Sequence, residues 1–511
     1  MPVQDRQHVP DILECLAQLS SDEVPTPPKL ANAMLDLLPD EVWTNPEYRW
    51  CDPCSKSGVF LREIVKRLLF KGLVEWESDF EMRREHIFRN MIFGCGITEL
   101  TGIVSRRTVY YSLGAASEYS VIRMDSDDGS IPFVRAEHDF KRGRCTICGA
   151  PEDLERGPDR ENYAYAFIHR AYPTKEMENM KFDVIVGNPP YQLGASGGDS
   201  PGGFAMPLYQ RFVEKAIEME PKYILMITPS RWFAGGRNLD AYRDRMLRDR
   251  HIRRLVDFPN ASECFPGNEI KGGVSYFLWD RAHKGACEVT TIRGGKPVGK
   301  TEARNLGAYD ILVRYNQGVA ILEKVWPEEP DDASLATRVS PIQPFSIRTN
   351  FRGKPKPDGL RDPIGLYGNG GVTYIERHDV PRNIAWVDEW KVLLGRAYGA
   401  GEAIPHQITN VPIVAPPGTA CSETYLVINR FSNKVKARRF ATYLSTRFVR
   451  FLISLRKNTQ DIYNERFSFV PDLPMDREWT DADLYRRYDL TDDEIAFIES
   501  QVREMPALAA A

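Results

Sequence analysis

An amide, a bare carbonyl and an aromatic ring stand together in four consecutive residues, Asn188-Pro189-Pro190-Tyr191. The two prolines fix φ and remove backbone donors, so the turn is stiff and its carbonyls are free to accept. Such a set suits a flat molecule with an exposed amino group. The amine protons go to the Asn188 side-chain oxygen and the Pro189 carbonyl, and the ring stacks on Tyr191. On its own the same tetrapeptide is also an ordinary proline turn. Its context favours chemistry, because Phe182 to Val186 is a short β-branched run closed by Gly187. That is the pattern of a buried strand ending at the edge of an α/β sheet, where such sheets place ligands.

Two further stretches carry candidate chemistry. In Asp52-Pro-Cys-Ser-Lys-Ser-Gly58-Val-Phe60 a strand ends, a small-residue loop follows and an amphipathic helix begins near Phe60. This makes a cofactor cradle, because small residues let backbone N–H groups approach a ligand. Cys51 and Cys54 have half-zinc-site spacing, and the Asp-Pro between them favours a structural role. Cys145-Thr-Ile-Cys148-Gly149 reads as a zinc knuckle, with His138 and His169 as further ligands, or as two buried free thiols. Late in the chain Lys434, Lys436, Arg438, Arg439, Arg447 and Arg450 recur without an intervening acid. Phe440, Tyr443, Leu444, Phe448, Phe451 and Leu452 interleave an apolar face, so the cations form either a phosphate-binding or a solvated helix face.

The elements that position these groups follow from periodicity. Strands are expected at Met91–Gly94, Tyr119–Met124, Lys222–Thr228, Ile252–Phe258, Gly273–Trp279 and Cys287–Ile292, the last two as antiparallel neighbours. Helices are expected over 9–20, 30–38 (capped by Thr26, with Pro27 and Pro28 in the first turn), 60–69, 99–110 and 207–218. The alternation is that of a doubly wound α/β sheet with an antiparallel edge. Gly194 to Gly203 reads as a flexible loop, and 125–180 as an irregular insertion. A boundary is expected near Pro327–Asp332. It separates an N-terminal helix (1–24) and a catalytic domain (25–325) from a mixed α+β domain (340–475) and a helical tail (476–511). The net charge of −4 excludes a uniformly basic surface, so nucleic-acid contact requires a local patch. Nine scattered cysteines and no span-length apolar run point to a reducing cytoplasm and no membrane.

In order, Thr26-Pro-Pro, Asp52-Pro-Cys-Ser-Lys-Ser-Gly58-Val-Phe60, Asn188-Pro-Pro-Tyr191 and Phe265-Pro-Gly resemble the S-adenosylmethionine-dependent amino-methyltransferases that act on adenine in DNA. The motif order is that of the gamma class, and the likeness is to the methylase part of restriction–modification systems, over about residues 20 to 285. The resemblance implies a Rossmann-like methyltransferase sheet followed by a target-recognition domain. It implies methylation of the 6-amino group of an adenine flipped from double-stranded DNA. Asn188 and Pro189 would hold the amine, Pro190 would stiffen the turn, and Tyr191 and Phe265 would flank the base. Thr26, Pro27, Asp52, Pro53, Ser57, Gly58 and Phe60 would surround the cofactor. Two departures stand out. Lys56 takes a place usually held by glycine, and the ribose-binding acid would fall at Gly96, with Glu99 near enough to replace it. Protein-glutamine methylation, RNA base methylation and a catalytically weak DNA-binding subunit are the competing functions. A cognate restriction endonuclease is the implied partner.

Overall fold

The computed structural model describes residues 24–134, 136–149, 152, 165–170, 180–193, 206–327, 333–399, 404–457, 460–506 and 508. The expected helix over 9–20 and the Gly194–Gly203 loop lie outside these residues, as does much of the 125–180 insertion. The chain divides between Leu312 and Val313. This is earlier than the acidic stretch predicts, and most of that stretch (328–332) is outside the described residues.

The first unit is built on one mixed sheet. In chain order its elements are α1 (Pro28–Leu35), β1 (Trp50–Ser55), α2 (Val59–Arg67), β2 (Ile92–Gly96), α3 (Glu99–Tyr110), β3 (Val184–Gly187), α4 (Tyr209–Glu218), β4 (Tyr223–Pro229), α5 (Asp240–Arg248), β5 (Ile252–Phe258), β6 (Val274–Asp280) and β7 (Cys287–Arg293). The strand order is β7-β5-β6-β4-β3-β1-β2. β2, β1, β3 and β4 are mutually parallel, with Trp50 paired to both Ile92 and Val184. β6 is antiparallel to both β4 and β5, and β7 is parallel to β5. The expected pairing of Gly273–Trp279 with Cys287–Ile292 is therefore wrong, since β5 lies between them. The burial pattern fits this order: every residue of β6 is buried, as an interior strand requires, whereas β7 alternates as a strand near an edge does. The antiparallel edge is supplied by Glu302–Arg304 and Lys296–Pro297 against β7.

Tyr119–Met124 is a bent, irregular segment, not a strand. The segment that instead borders β2 is 130–133, where Ser130 and Pro132 accept from the N–H groups of Gly94 and Gly96. Thr98 caps α3 through a reciprocal bond with Thr101. α3 then lies directly on the end of β2, because a Cβ on Gly96 would meet the Gly102 backbone at 2.7 Å. A carboxylate at position 96 is excluded by this contact, which accounts physically for the missing acid. Thr26 is not the cap of α1; Pro27 holds that position with Pro28 as the first helical residue.

The second unit carries α6 (Asn316–Val325), β8 (Pro363–Gly368), β9 (Gly371–Glu376), β10 (Trp390–Gly395), β11 (Ile413–Ala415), β12 (Thr419–Cys421), β13 (Tyr425–Phe431), α7 (Lys434–Ser445), α8 (Arg447–Arg456), α9 (Asp481–Arg487) and α10 (Asp492–Gln501). Two three-stranded sheets, β9-β8-β12 and β11-β10-β13, share a core that includes Phe345, Leu366, Leu393 and Val427. α6 and the C-terminal helices belong to the same unit. Tyr315 and Phe451 both meet Phe497 edge-on, and Lys324 pairs with Glu494 at 2.8 Å. Among the described residues no helix is long and apolar enough to cross a membrane.

Candidate active site

β1 and β3 run side by side and stop at the same sheet edge, bringing Asp52 and Asn188 together from positions far apart in the chain. They line one small open cleft with Thr26, Cys54, Lys56, Ser57, Gly58, Val59 and Phe60. Gly58 precedes α2 at φ +75°, and a Cβ there would lie 2.8 to 3.0 Å from Ser105. The loop can hold its path only with glycine at this position.

Asn188 is 3% exposed, and its orientation is fixed by chemistry. Its Nδ2 donates to the Val24 carbonyl at 2.8 Å and to the Thr26 hydroxyl at 3.2 Å. A carbonyl can only accept, so the amide nitrogen must face Val24 and Oδ1 must face the other way. Among the described residues nothing donates to that buried Oδ1, and no described residue donates to the Pro189 carbonyl. A buried acceptor left bare costs free energy unless a ligand supplies the proton. Val24 is invisible to motif reading because it contributes only a backbone oxygen. Lys56 also reaches that oxygen, at 3.3 Å.

Asp52 is buried, and burial raises its carboxyl from the usual range to about 7. The Cys54 N–H donates to its Oδ1 at 3.2 Å, and Lys56 acts in the opposite sense to burial. Pro53 is buried in β1, and Pro27 is partly exposed at the start of α1. Glu99 does not line the cleft; it is exposed at the first position of α3.

Tyr191 is partly exposed, whereas Phe265 is 1% exposed and meets the Tyr191 ring edge-on at 6.4 Å and 72°. A base cannot enter between two rings in that contact. Phe265 therefore braces Tyr191 in this arrangement and does not offer a second stacking face, contrary to the sequence expectation.

The cysteine knuckle of the insertion forms a compact set. A two-residue hairpin turn, Arg142-Gly143 with φ of 55° and 72°, joins Phe140–Lys141 to Arg144–Cys145. His138, Cys145, Cys148 and His169 each present one ligand atom, all within 4.8 Å of one another. Cys148 Sγ lies 3.4 Å from His138 Nδ1, and Cys145 Sγ lies 3.6 Å from His169 Nε2. Zinc bonds of about 2.3 Å to sulfur and about 2.0–2.1 Å to nitrogen give tetrahedral S···N edges of about 3.6 Å. His169 Nδ1 donates to the Tyr165 carbonyl at 2.9 Å, leaving Nε2 as a bare lone pair directed at the set. Burial raises the Cys145 thiol, but N–H groups of Cys148, Ile147 and Asp139 outweigh it and bring the thiol below its ordinary value. Cys51 and Cys54 remain outside this set as buried free thiols.

The basic segment is not one exposed face. Lys434, Lys436 and Arg438 are exposed on α7. Arg439 donates to the Met475 and Asp476 carbonyls, and Arg447 pairs with Glu499 at 3.1 Å. Arg450 is fully buried, and its guanidinium donates to the carbonyls of Ser445, Thr446, Gln407 and Arg503 at 2.8 to 3.2 Å. It cannot reach a phosphate, so its place in the expected DNA-binding set is corrected. A patch that periodicity does not single out is the loop with exposed Arg348, Arg352, Lys354, Lys356 and Arg361.

The sheet order with an interior antiparallel strand, and a ligand cleft at the ends of β1 and β3, define a Rossmann-like α/β domain of the methyltransferase class. Comparison with known proteins narrows this. The family model for the Eco57I restriction-modification methylase matches residues 90–265. An uncharacterized adenine-specific methylase from Mycoplasma pneumoniae is 37% identical over 309 residues, covering 55% of this chain and 72% of that protein. The chain belongs to the adenine-specific methylase family. Among solved structures, a modification subunit of a putative type I restriction enzyme from Vibrio vulnificus YJ016 is 16% identical with a TM-score of 0.34. That match covers 56% of this chain and 51% of the other, so the chain spans about half that subunit's length. The type IIL restriction-modification enzyme MmeI, in complex with DNA, is 10% identical with a TM-score of 0.46, over 86% of this chain and 62% of the other.

Proposed function

We propose that this protein methylates the 6-amino group of adenine in double-stranded DNA, with S-adenosylmethionine as donor, in a restriction–modification setting. The observation that carries this is the buried Oδ1 of Asn188, which has no partner among the described residues, in the same turn as the Pro189 carbonyl, to which none of them donates. The adenine amine is a poor nucleophile because its lone pair is delocalised into the ring. Two acceptors on its protons favour the tetrahedral nitrogen and direct its lone pair outward. Tyr191 holds the flipped base by its ring face. When bound, S-adenosylmethionine supplies an electrophilic methyl group. Thr26, Asp52, Ser57, Gly58 and Phe60 line the cleft that would hold it: Gly58 lets the loop pass close against Ser105, and Asp52 offers a carboxylate to a cation. Exposed Lys434, Lys436 and Arg438 serve the DNA backbone. A cognate endonuclease that cuts unmethylated sites is the natural partner. Incubation with tritiated donor and duplex DNA, RNA or protein tests the assignment. Label should enter the DNA, and label confined to RNA or protein would overturn it.

The Asp52 carboxyl gives a pH signature. Below about 7 it is neutral and above it ionised, so affinity for the cationic donor should rise through pH 7 and then level off. Asp52→Asn should flatten that profile in a binding titration. The stability sign is opposite. A carboxyl whose folded pKa is raised loses stability as pH rises from about 4 to 7, because the unfolded state gives up its proton first. Asp52→Asn should therefore raise the unfolding free energy above pH 7, by a few kcal/mol at most at about 1.4 kcal/mol per pKa unit, and the melting temperature with it. Unchanged stability and a pH-independent affinity in the wild type would contradict this.

We infer also that His138, Cys145, Cys148 and His169 bind zinc. Two of the four S···N distances, 3.4 and 3.6 Å, are close to tetrahedral edges, which supports this reading.

A further inference from the structure

We propose that the metal-loaded knuckle positions the target-base side of the active site, holding the strand pair that follows Tyr191. The proposal rests on the zinc reading above. Gln192–Leu193 leaves the catalytic turn and pairs antiparallel with Met206–Pro207. The Leu208 N–H donates to the Tyr191 carbonyl at 3.2 Å, tying the returning strand to the catalytic tyrosine itself. Met206 is in turn held by the knuckle. Gly149, at φ +75°, sits so close that a Cβ would lie 2.7 Å from Met206 Cε, and Arg144 Nη1 reaches Met206 Sδ at 3.3 Å. The other side of the metal set leads to the same place. His169 ends a short helix, Ala166–His169, whose flanking Tyr165 and internal Phe167 pack on Phe212 at 5.6 and 5.9 Å. Phe212 belongs to α4, which starts two residues after the returning strand. A four-ligand metal would thus lock the Gly149 contact to the α4 contact and clamp Met206–Pro207 between them. Asp52, Gly58 and Phe60, which line the β1–α2 side of the cleft, are not among the residues these contacts join. Met206 and Arg144 are positioning residues acting through the strand pair on Tyr191.

The test uses the full-length protein, with zinc as the only added metal. Zinc content is measured by chromophoric chelator, amide exchange is followed at residues 191–193, 206 and 208, and KM is measured separately for duplex DNA and for S-adenosylmethionine. The expected result is one zinc per chain. Chelation should speed exchange at both segments and raise KM for DNA about tenfold while leaving KM for the donor unchanged, and added zinc should restore all three. Met206→Ala, which keeps every ligand, should retain zinc and show the same split, so the inference stays testable if the zinc-free protein unfolds. A chain that binds no zinc overturns the metal reading and the clamp with it. A zinc-containing Met206→Ala protein with unaltered exchange at 191–193 and unaltered KM for DNA overturns the clamp alone.

Discussion

Asn188→Ala should lower kcat for methyl transfer by about 10² to 10³-fold while S-adenosylmethionine affinity stays within about twofold. The magnitude is that of losing one preorganised hydrogen-bond partner aimed at developing charge, about 3 to 4 kcal/mol. The direction follows from geometry. Oδ1 has no partner within the described residues, so the mutation removes nothing that Oδ1 gives the resting fold there. It removes an acceptor that matters most when the amine nitrogen becomes tetrahedral, and such losses appear in kcat. The side chain also tethers residues 24 and 26 through Nδ2, and Thr26→Val isolates part of that second role. Thr26→Val should shift donor affinity modestly and leave kcat near normal. An Asn188→Ala enzyme that turns over normally at saturating donor and DNA would remove the assignment.

A second large effect is expected in the second unit. Arg450→Leu should destabilise the second unit by about 3 to 5 kcal/mol, because four carbonyls around the buried guanidinium lose a charged donor together. The urea midpoint of that unit's transition reports it. Changing Lys434, Lys436 and Arg438 together to Ala should do the reverse. Stability should stay within about 0.5 kcal/mol, as for most surface changes. The slope of log K for duplex DNA against log salt should fall by about 2 to 3, at about 0.9 for each phosphate no longer neutralised. An Arg450→Leu protein that folds normally yet loses DNA binding would show that the guanidinium meets phosphate after all.

What the sequence discloses and what it hides divide along the range of the interactions. α3 begins at Glu99 as expected because its cap, Thr98 with Thr101, is local. The strand leading to Asn188 is legible for the same reason, as a short β-branched run ended by glycine. The expected pairing of Gly273–Trp279 with Cys287–Ile292 fails because neighbours in sequence need not pair in space. The unbroken run Tyr276–Trp279 within β6, with no polar alternation, is the available sign that it needs a strand on each side. Arg450 looks like its basic neighbours because the carbonyls that consume it come from residues as distant as Gln407 and Arg503. The Val24 carbonyl that orients Asn188 lies 164 residues away and has no side-chain signature at all. The knuckle is half visible. Cys145 and Cys148 announce themselves by spacing, whereas His138 and His169 become specific only when the fold sets their nitrogens beside the two sulfurs.

The central claim is that Asn188 and Pro189 receive the 6-amino group of adenine, and the methylated base itself tests it most directly. Unmethylated duplex DNA is incubated with the full-length protein and S-adenosylmethionine, digested to nucleosides and analysed by mass spectrometry, with Asn188→Ala in parallel. The account predicts 6-methyladenine as the sole methylated nucleoside from the wild type and a yield from Asn188→Ala at least about 10²-fold lower. Methyl groups on cytosine, or equal yields from the two proteins, would contradict it.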